Sequence, residues 1–201
     1  MQTGANLTVA TRADRPSVVA TLTLAFAADP LNRWWLPKGE NFLKYFPALV
    51  EVFLEPALDA GTCFVTEGIT GAAIWYPPGV KADEDKLEAL VGEFLPADIA
   101  AEAGALLEFF EEFHPKDENC WYLPLIGVDP GHRGKGYGAA LMQHATALLD
   151  NAGAPGYLES SNPMNISLYQ RHGFKVITQR QVGESVLVSP MQRAPTEDAL
   201  P

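Results

Sequence analysis

The sequence predicts an α/β fold of the mixed α+β kind: a central six- to seven-stranded sheet, antiparallel early, with one parallel crossover late, flanked by helices. Three observations carry this. Segments of strand and helix periodicity follow one another as strand, helices, two strands, helices, strand, helix, strand, helix, strand, strand. The two early strands are joined by a short turn, which suits an antiparallel pair. The apolar run Trp121–Val128 passes through a glycine-rich turn into a helix, and another strand follows that helix, as a parallel crossover requires.

Residues 7–11 read as the first strand. Asp14 and Pro16 then provide a cap and a first turn for a helix to about residue 27, with Val18, Val19, Leu22 and Phe26 as its apolar stripe. Asp29-Pro30 ends it, and 31–36 is irregular or briefly helical. Residues 41–58 repeat apolar side chains at helical spacing, but Pro47 and Pro56 predict breaks. Strands at 62–66 and 72–76 flank the turn at Glu67-Gly68, and Pro77-Pro78-Gly79 stops the second. Two Glu-rich amphipathic helices at 83–94 and 97–113 form an insertion over about 81–114. After Trp121–Val128 come a helix at 138–150, a strand at 157–160, a helix at 165–172 and strands at 175–182 and 185–188. No repeat or low-complexity block argues for a second domain, so residues 1–190 are expected to form one domain and 191–201 a disordered tail.

With 201 residues and 47% hydrophobic content, one substantial core is possible. A net charge of -11 argues against nucleic acid and anionic membrane surfaces as partners and favours a cationic ligand. Cys63 and Cys120, with no partner at metal-ligand spacing, read as buried thiols in a reducing compartment, and no His or Cys cluster offers a metal site. No leader pattern or membrane-length apolar run is present, so a cytoplasmic protein is expected. A monomer or homodimer is expected.

The turn Arg133-Gly134-Lys135-Gly136-Tyr137-Gly138-Ala139 carries the most chemistry. Its glycines let backbone N–H groups point inward, the helix that follows presents its positive end, and Arg133, Lys135 and His132 add charge. Such a turn grips phosphate. Pro124 and Gly127 interrupt the preceding strand, since proline removes a ladder donor and glycine marks a bulge or close approach. That strand is expected to leave regular pairing there.

Arg133-x-x-Gly136-x-Gly138 resembles the pyrophosphate-binding signature of the GNAT N-acetyltransferase superfamily. Leu158-Glu159-Ser160-Ser161-Asn162 and Leu168-Tyr169-Gln170-Arg171-His172-Gly173-Phe174 follow in that superfamily's order. The resemblance is close over about 120–190, and within the superfamily it is nearest to the puromycin N-acetyltransferase group. It implies a GNAT fold, acetyl-CoA as acyl donor and a primary amine of a small molecule as acceptor, with direct transfer in a ternary complex. It further implies that Ile126, Gly127, Val128, the run Arg133 to Ala139, Asn165 and Tyr169 hold the cofactor. Backbone N–H at Leu125 or Ile126 would polarise the thioester carbonyl, and Tyr169 would protonate the leaving thiolate.

Glu159, at the strand end facing the splay, is the candidate general base or ammonium anchor, with Glu118 in reserve. Trp34 and Trp75 are candidates to line an acceptor pocket, although aromatic residues in so apolar a chain usually fill the core. Two other readings stay open. Gly134-x-Gly136-x-x-Ala139 with Glu159 fits a dinucleotide fingerprint, though that turn normally comes early in its fold. A non-catalytic sensor of acyl-CoA would keep the same cleft.

Overall fold

A computed structural model describes residues 6–116 and 119–196. Strand β1 (Leu7–Val9) leads into helix α1 (Arg15–Phe26), α2 (Pro30–Trp35) and α3 (Gly39–Ala60). Strands β2 (Cys63–Thr66) and β3 (Gly71–Tyr76) precede the inserted helices α4 (Glu84–Phe94) and α5 (Ala100–Phe113). Then come β4 (Trp121–Val128), α6 (Tyr137–Asn151), β5 (Gly156–Ser160), α7 (Ile166–Arg171), β6 (Lys175–Val176) and β7 (Ser189–Arg193).

The strands form one 7-stranded sheet in the order β1-β2-β3-β4-β5-β7-β6. Only the β4–β5 pair is parallel; every other pair is antiparallel. One face of the sheet is covered by α1, α3 and α4, whose Val18, Leu22, Phe46, Val50 and Phe94 pack against Val65, Ile74 and Leu125. The other is covered by α6 and α7, with Leu141, Met142, Leu149 and Tyr169 against Trp75, Leu123 and Leu158. Each buried aliphatic or aromatic side chain contributes ~1.5–3 kcal/mol.

Expectations fail at the chain's proline-rich and C-terminal parts. Helix α3 runs unbroken through Pro47 and Pro56. Each interior proline costs about 3 kcal/mol, but Phe42, Phe46, Leu49, Val50, Leu54 and Ala57 lie buried on one stripe and together outweigh that cost. The chain from Met191 onward does not begin a disordered tail. Met191 and Arg193 are buried in β7, which pairs along all of β5. The strand expected at 175–182 shortens to Lys175–Val176, and 185–188 contributes a single bridge, Arg180 to Val188. The alternation Ser189 to Arg193 places Ser189, Met191 and Arg193 inward, a period that a proline at 190 obscures. Residues 197–201 of the expected tail lie outside the described residues.

The sheet opens where Pro124 stands. Parallel pairing of β4 with β5 runs from Trp121↔Gly156 to Leu123↔Leu158 and then stops. On the other side, Tyr76 pairs with Tyr122 but Ile74 with Leu125, so β4 carries one extra residue in a bulge. Proline's missing N–H and the bulge together turn the end of β4 away from β5.

Candidate active site

Beyond the bulge, the backbone of β4 faces two ways. Trp75 N–H donates to the Thr62 carbonyl across β2, so Ala72 and Ile74 turn their backbone groups toward β4. Their partners Gly127 and Leu125 are therefore the residues bonded to β3, and Asp129 N–H, of the same parity, donates to the Thr70 carbonyl at 2.9 Å. Ile126 and Val128 direct theirs into the opening. Of the two oxyanion donors expected from sequence, Ile126 has the right direction and Leu125 does not. Gly127 also departs from expectation, since its backbone serves the β3 ladder and its missing side chain serves packing. A Cβ there would stand 2.5 Å from the Ala25 Cβ, so glycine lets the end of α1 lie directly on β4.

The phosphate turn follows. Gly134 and Gly136 have φ of 78° and 83°, a left-handed backbone that glycine adopts without strain. Gly136 caps α6 without any side-chain acceptor, and the first intrahelical bond is Ala140 N–H to the Gly136 carbonyl. The N–H groups of Tyr137, Gly138 and Ala139 are left for an external acceptor at the positive end of the helix. A Cβ on Gly138 would meet only ordinary contacts, Leu168 at 3.5 Å, so nothing in the protein itself demands glycine there. Arg133 and Lys135 are exposed, and neither forms an ion pair among the described residues. Arg133 donates instead to the Ala25 carbonyl at 2.8 Å, which lies at the end of α1 and holds the guanidinium beside the turn. A helix start without a side-chain cap, a turn without Cβ atoms at 134, 136 and 138, and two exposed cations with no ion-pair partner among the described residues fit a diphosphate. Replacing Arg133 and Lys135 together with Ala is expected to weaken coenzyme A binding about 10- to 100-fold, with a shallower salt dependence, as read by calorimetry.

Tyr169, on α7, comes to the same opening. It is 6% exposed and lines a small cavity of about 40 Å³ with Phe26, Leu123, Pro124, Ile126, Leu158, Glu159, Ser161 and Asn165. Burial, and then the Asp29 carboxylate, hold its phenol above the usual tyrosine range, so it stays protonated at neutral pH. Asn165 is exposed at the mouth and its side chain makes no hydrogen bond among the described residues.

Glu159 projects to the opposite face of β5 from Leu158, the same face as Tyr157. Its side chain is 12% exposed. Around it stand the rings of Tyr122, Tyr157 and His114. His114 lies edge-on to Tyr122 at 4.9 Å and to Tyr157 at 5.4 Å between centroids. Burial raises both phenols, and the Glu159 carboxylate raises them further. The Tyr157 hydroxyl is fully buried and lacks a hydrogen bond of full geometry despite that nearby charge. The one ion-pair contact of Glu159 among the described residues is His114 Nδ1, at 3.7 Å. Glu159 is thus a carboxylate walled by aromatic rings, with no Lys or Arg paired to it among the described residues.

Sequence reasoning missed Tyr122, Tyr157 and His114, although Tyr157-x-Glu159 alternation and the parallel register Tyr122↔Tyr157 encode the first two. It also missed Asp29. That carboxylate caps α2 by accepting from Asn32 N–H at 3.1 Å and reaches Ser161 Oγ, at the end of β5, at 2.8 Å. Burial raises its pKa. Asp29→Ala is expected to cost about 1–2 kcal/mol in a denaturant melt, from the lost cap and the unpaired Ser161 and Asn32 groups.

The two tryptophans fall elsewhere. Trp75 is 0% exposed in the core beneath α6, so it does not line an acceptor pocket. Period 2 in β3 turns it to the face opposite Tyr76. Trp34 is half-buried against Leu31, Leu106, Phe109 and Val188, where α5 meets α2, and does not line the opening. Glu118 lies outside the described residues. Cys63 is buried, its thiol pushed up to about 12 by desolvation, while Cys120 is only half-buried. A wider groove of about 900 Å³ between α6, α7 and β7 holds none of the expected site residues. Among the described residues no group of three or more His, Cys, Asp or Glu could hold a metal ion, and no helix is long and apolar enough to cross a membrane.

Residues 74–174, half of the chain, match the model of the acetyltransferase (GNAT) family. The chain belongs to that family. The matched segment contains β4, the phosphate turn, Glu159 and Tyr169, so the seven-stranded mixed sheet is a GNAT fold and the chain an N-acetyltransferase, a family that implies acetyl-CoA as donor. An uncharacterized N-acetyltransferase of Schizosaccharomyces pombe is 27% identical over 175 residues, covering 80% of this chain and 70% of that protein. A crystal structure described as histone acetyltransferase HPA2 and related acetyltransferase, from Corynebacterium glutamicum, is 28% identical. It superposes with a TM-score of 0.71 over 98% of each chain. Arylalkylamine N-acetyltransferase 2 from Aedes aegypti shares the fold, with a TM-score of 0.66 at 15% identity over 95% of this chain and 99% of that one.

Proposed function

We propose that this GNAT enzyme transfers an acetyl group from acetyl-CoA to a primary amine of a small molecule, by direct attack with both substrates bound. The observation that carries the reading is that Glu159 and Tyr169 line one small opening, at the point where β4 leaves β5. A proton acceptor and a proton donor therefore flank the same gap. The phosphate turn at the start of α6 would hold the diphosphate, and Ile126 and Val128 would bond the arm that follows it.

Acetyl-CoA supplies an activated thioester carbonyl. The chain's own residues do the rest. Glu159 attracts a cationic amine into a ring-lined pocket and takes the proton that the amine must lose before it is a nucleophile. The Ile126 N–H, fixed by the sheet, donates to the carbonyl oxygen as it gains charge. Tyr169, whose proton is held firmly until an anion forms beside it, donates to the sulfur position.

The resemblance of Trp121–Val128 and of 158–174 to the puromycin N-acetyltransferase group supports a small acceptor, as does a pocket built of single side chains with no extended groove in it. Protein mixed with acetyl-CoA and a panel of primary amines should release free thiol with at least one of them. Confirmed coenzyme A binding with no thiol release across the panel would overturn the reading.

A further inference from the structure

Acetyl transfer to an ammonium ion releases one net proton, and the structure holds a route for it. We infer that His114, delivered by the end of the inserted helix α5, is a proton-relay residue that acts through Glu159, passing the acceptor's proton from it to solvent. The inference rests on the reading of Glu159 as the base.

Protons and electron pairs balance as follows. The ammonium gives one proton to the Glu159 carboxylate, and the freed nitrogen lone pair forms the N–C bond. The C–S bond breaks with its electron pair leaving on sulfur, and Tyr169 protonates that sulfur. The second proton, on the new amide nitrogen, returns to Tyr169. One proton is then left on Glu159, whose side chain is only 12% exposed, so its direct way to water is narrow. His114 Nδ1 stands 3.7 Å from its Oε1, while the His114 side chain is 48% exposed. One ring therefore stands beside the carboxylate, within the reach of one bridging water or a small side-chain rotation, and is open to bulk solvent.

The placement is built rather than incidental. His114 is the C-cap of α5, its N–H donating to the Phe110 carbonyl at 2.8 Å. Its ring stands at 83° to Tyr122 and 79° to Tyr157, against the two rings that neighbouring strands β4 and β5 present side by side. Among the described residues the titratable groups that face it are Tyr122 from β4 and Tyr157 and Glu159 from β5, with Glu111 and Glu112 preceding it on its own helix. Both phenols keep their protons at neutral pH. Neither offers a ready outlet, which leaves the imidazole, the ring that stands beside Glu159 and reaches solvent.

His114→Phe keeps a flat ring in the edge contacts and removes the nitrogens; His114→Gln serves where the phenyl ring disturbs packing. Melting temperature and coenzyme A affinity by calorimetry should match the wild type in at least one of them. In that variant kcat is expected to fall about a hundredfold with KM little changed, and added imidazole, which reaches the exposed position, should restore it. Wild-type kcat and an unchanged pH profile in either folded variant would overturn the inference, as would a loss that imidazole does not restore. A wild-type enzyme silent toward every amine would instead sink the proposed acetyl transfer itself, and this inference with it.

Discussion

Tyr169→Phe is expected to lower kcat by roughly 10²–10⁴-fold while leaving coenzyme A affinity and the melting temperature close to wild type. The side chain is 6% exposed and packs with Leu141, Leu158 and Phe174, so the phenyl ring keeps its apolar contacts. Among the described residues its hydroxyl makes no hydrogen bond that would be lost. What disappears is a proton held, by burial and by Asp29, until a stronger acceptor forms in the cavity. Single-turnover kinetics would show the chemical step slowed and binding intact. Equal losses in kcat and stability would mean that the phenol is structural.

Glu159→Gln is expected to have an effect of similar size, but on a different pattern of constants. As base, the carboxylate acts in the step, so kcat and kcat/KM fall together by about 10²–10⁴-fold. As anchor alone, it would leave kcat near wild type and raise the acceptor KM. Both outcomes require that removal of the charge relaxes the phenols of Tyr122 and Tyr157, which Glu159 now holds up. Ultraviolet titration of the tyrosines should register this as easier ionisation in the variant, a readout that does not depend on turnover.

Much of this fold is legible in the sequence because the informative residues act locally. Trp121–Val128 runs apolar into a glycine turn, and the strand and helix around it fall where the pattern places them. Pro124 marks the parting of β4 from β5 by the simplest means, a missing N–H. The insertion helices are amphipathic in isolation and were equally readable. The failures share a cause, tertiary packing that overrides a local rule. Pro47 and Pro56 do not break α3 because its buried stripe outweighs them, and Pro190 does not keep β7 out of the sheet because β5 needs a partner on its far side.

The candidate site divides the same way. The phosphate turn, Glu159, Asn165 and Tyr169 sit in contiguous motifs, and the fold brings Glu159, Asn165 and Tyr169 to one opening. His114 and Asp29 reach that region from helices far away in sequence, through contacts that no motif records. Trp75 shows the converse. A tryptophan beside a tyrosine at a strand end suggests a pocket, yet one residue of register places it in the core. Gly127 likewise reads as a cofactor position until the Ala25 Cβ is seen above it.

The most direct test is a crystal structure with coenzyme A bound. The diphosphate should lie against the N–H groups of Tyr137, Gly138 and Ala139, the arm should run between β4 and β5 along Ile126 and Val128, and the sulfur should come within hydrogen-bond reach of the Tyr169 hydroxyl. Coenzyme A seated instead in the groove between α6, α7 and β7, or with its sulfur directed away from Tyr169, would contradict the account.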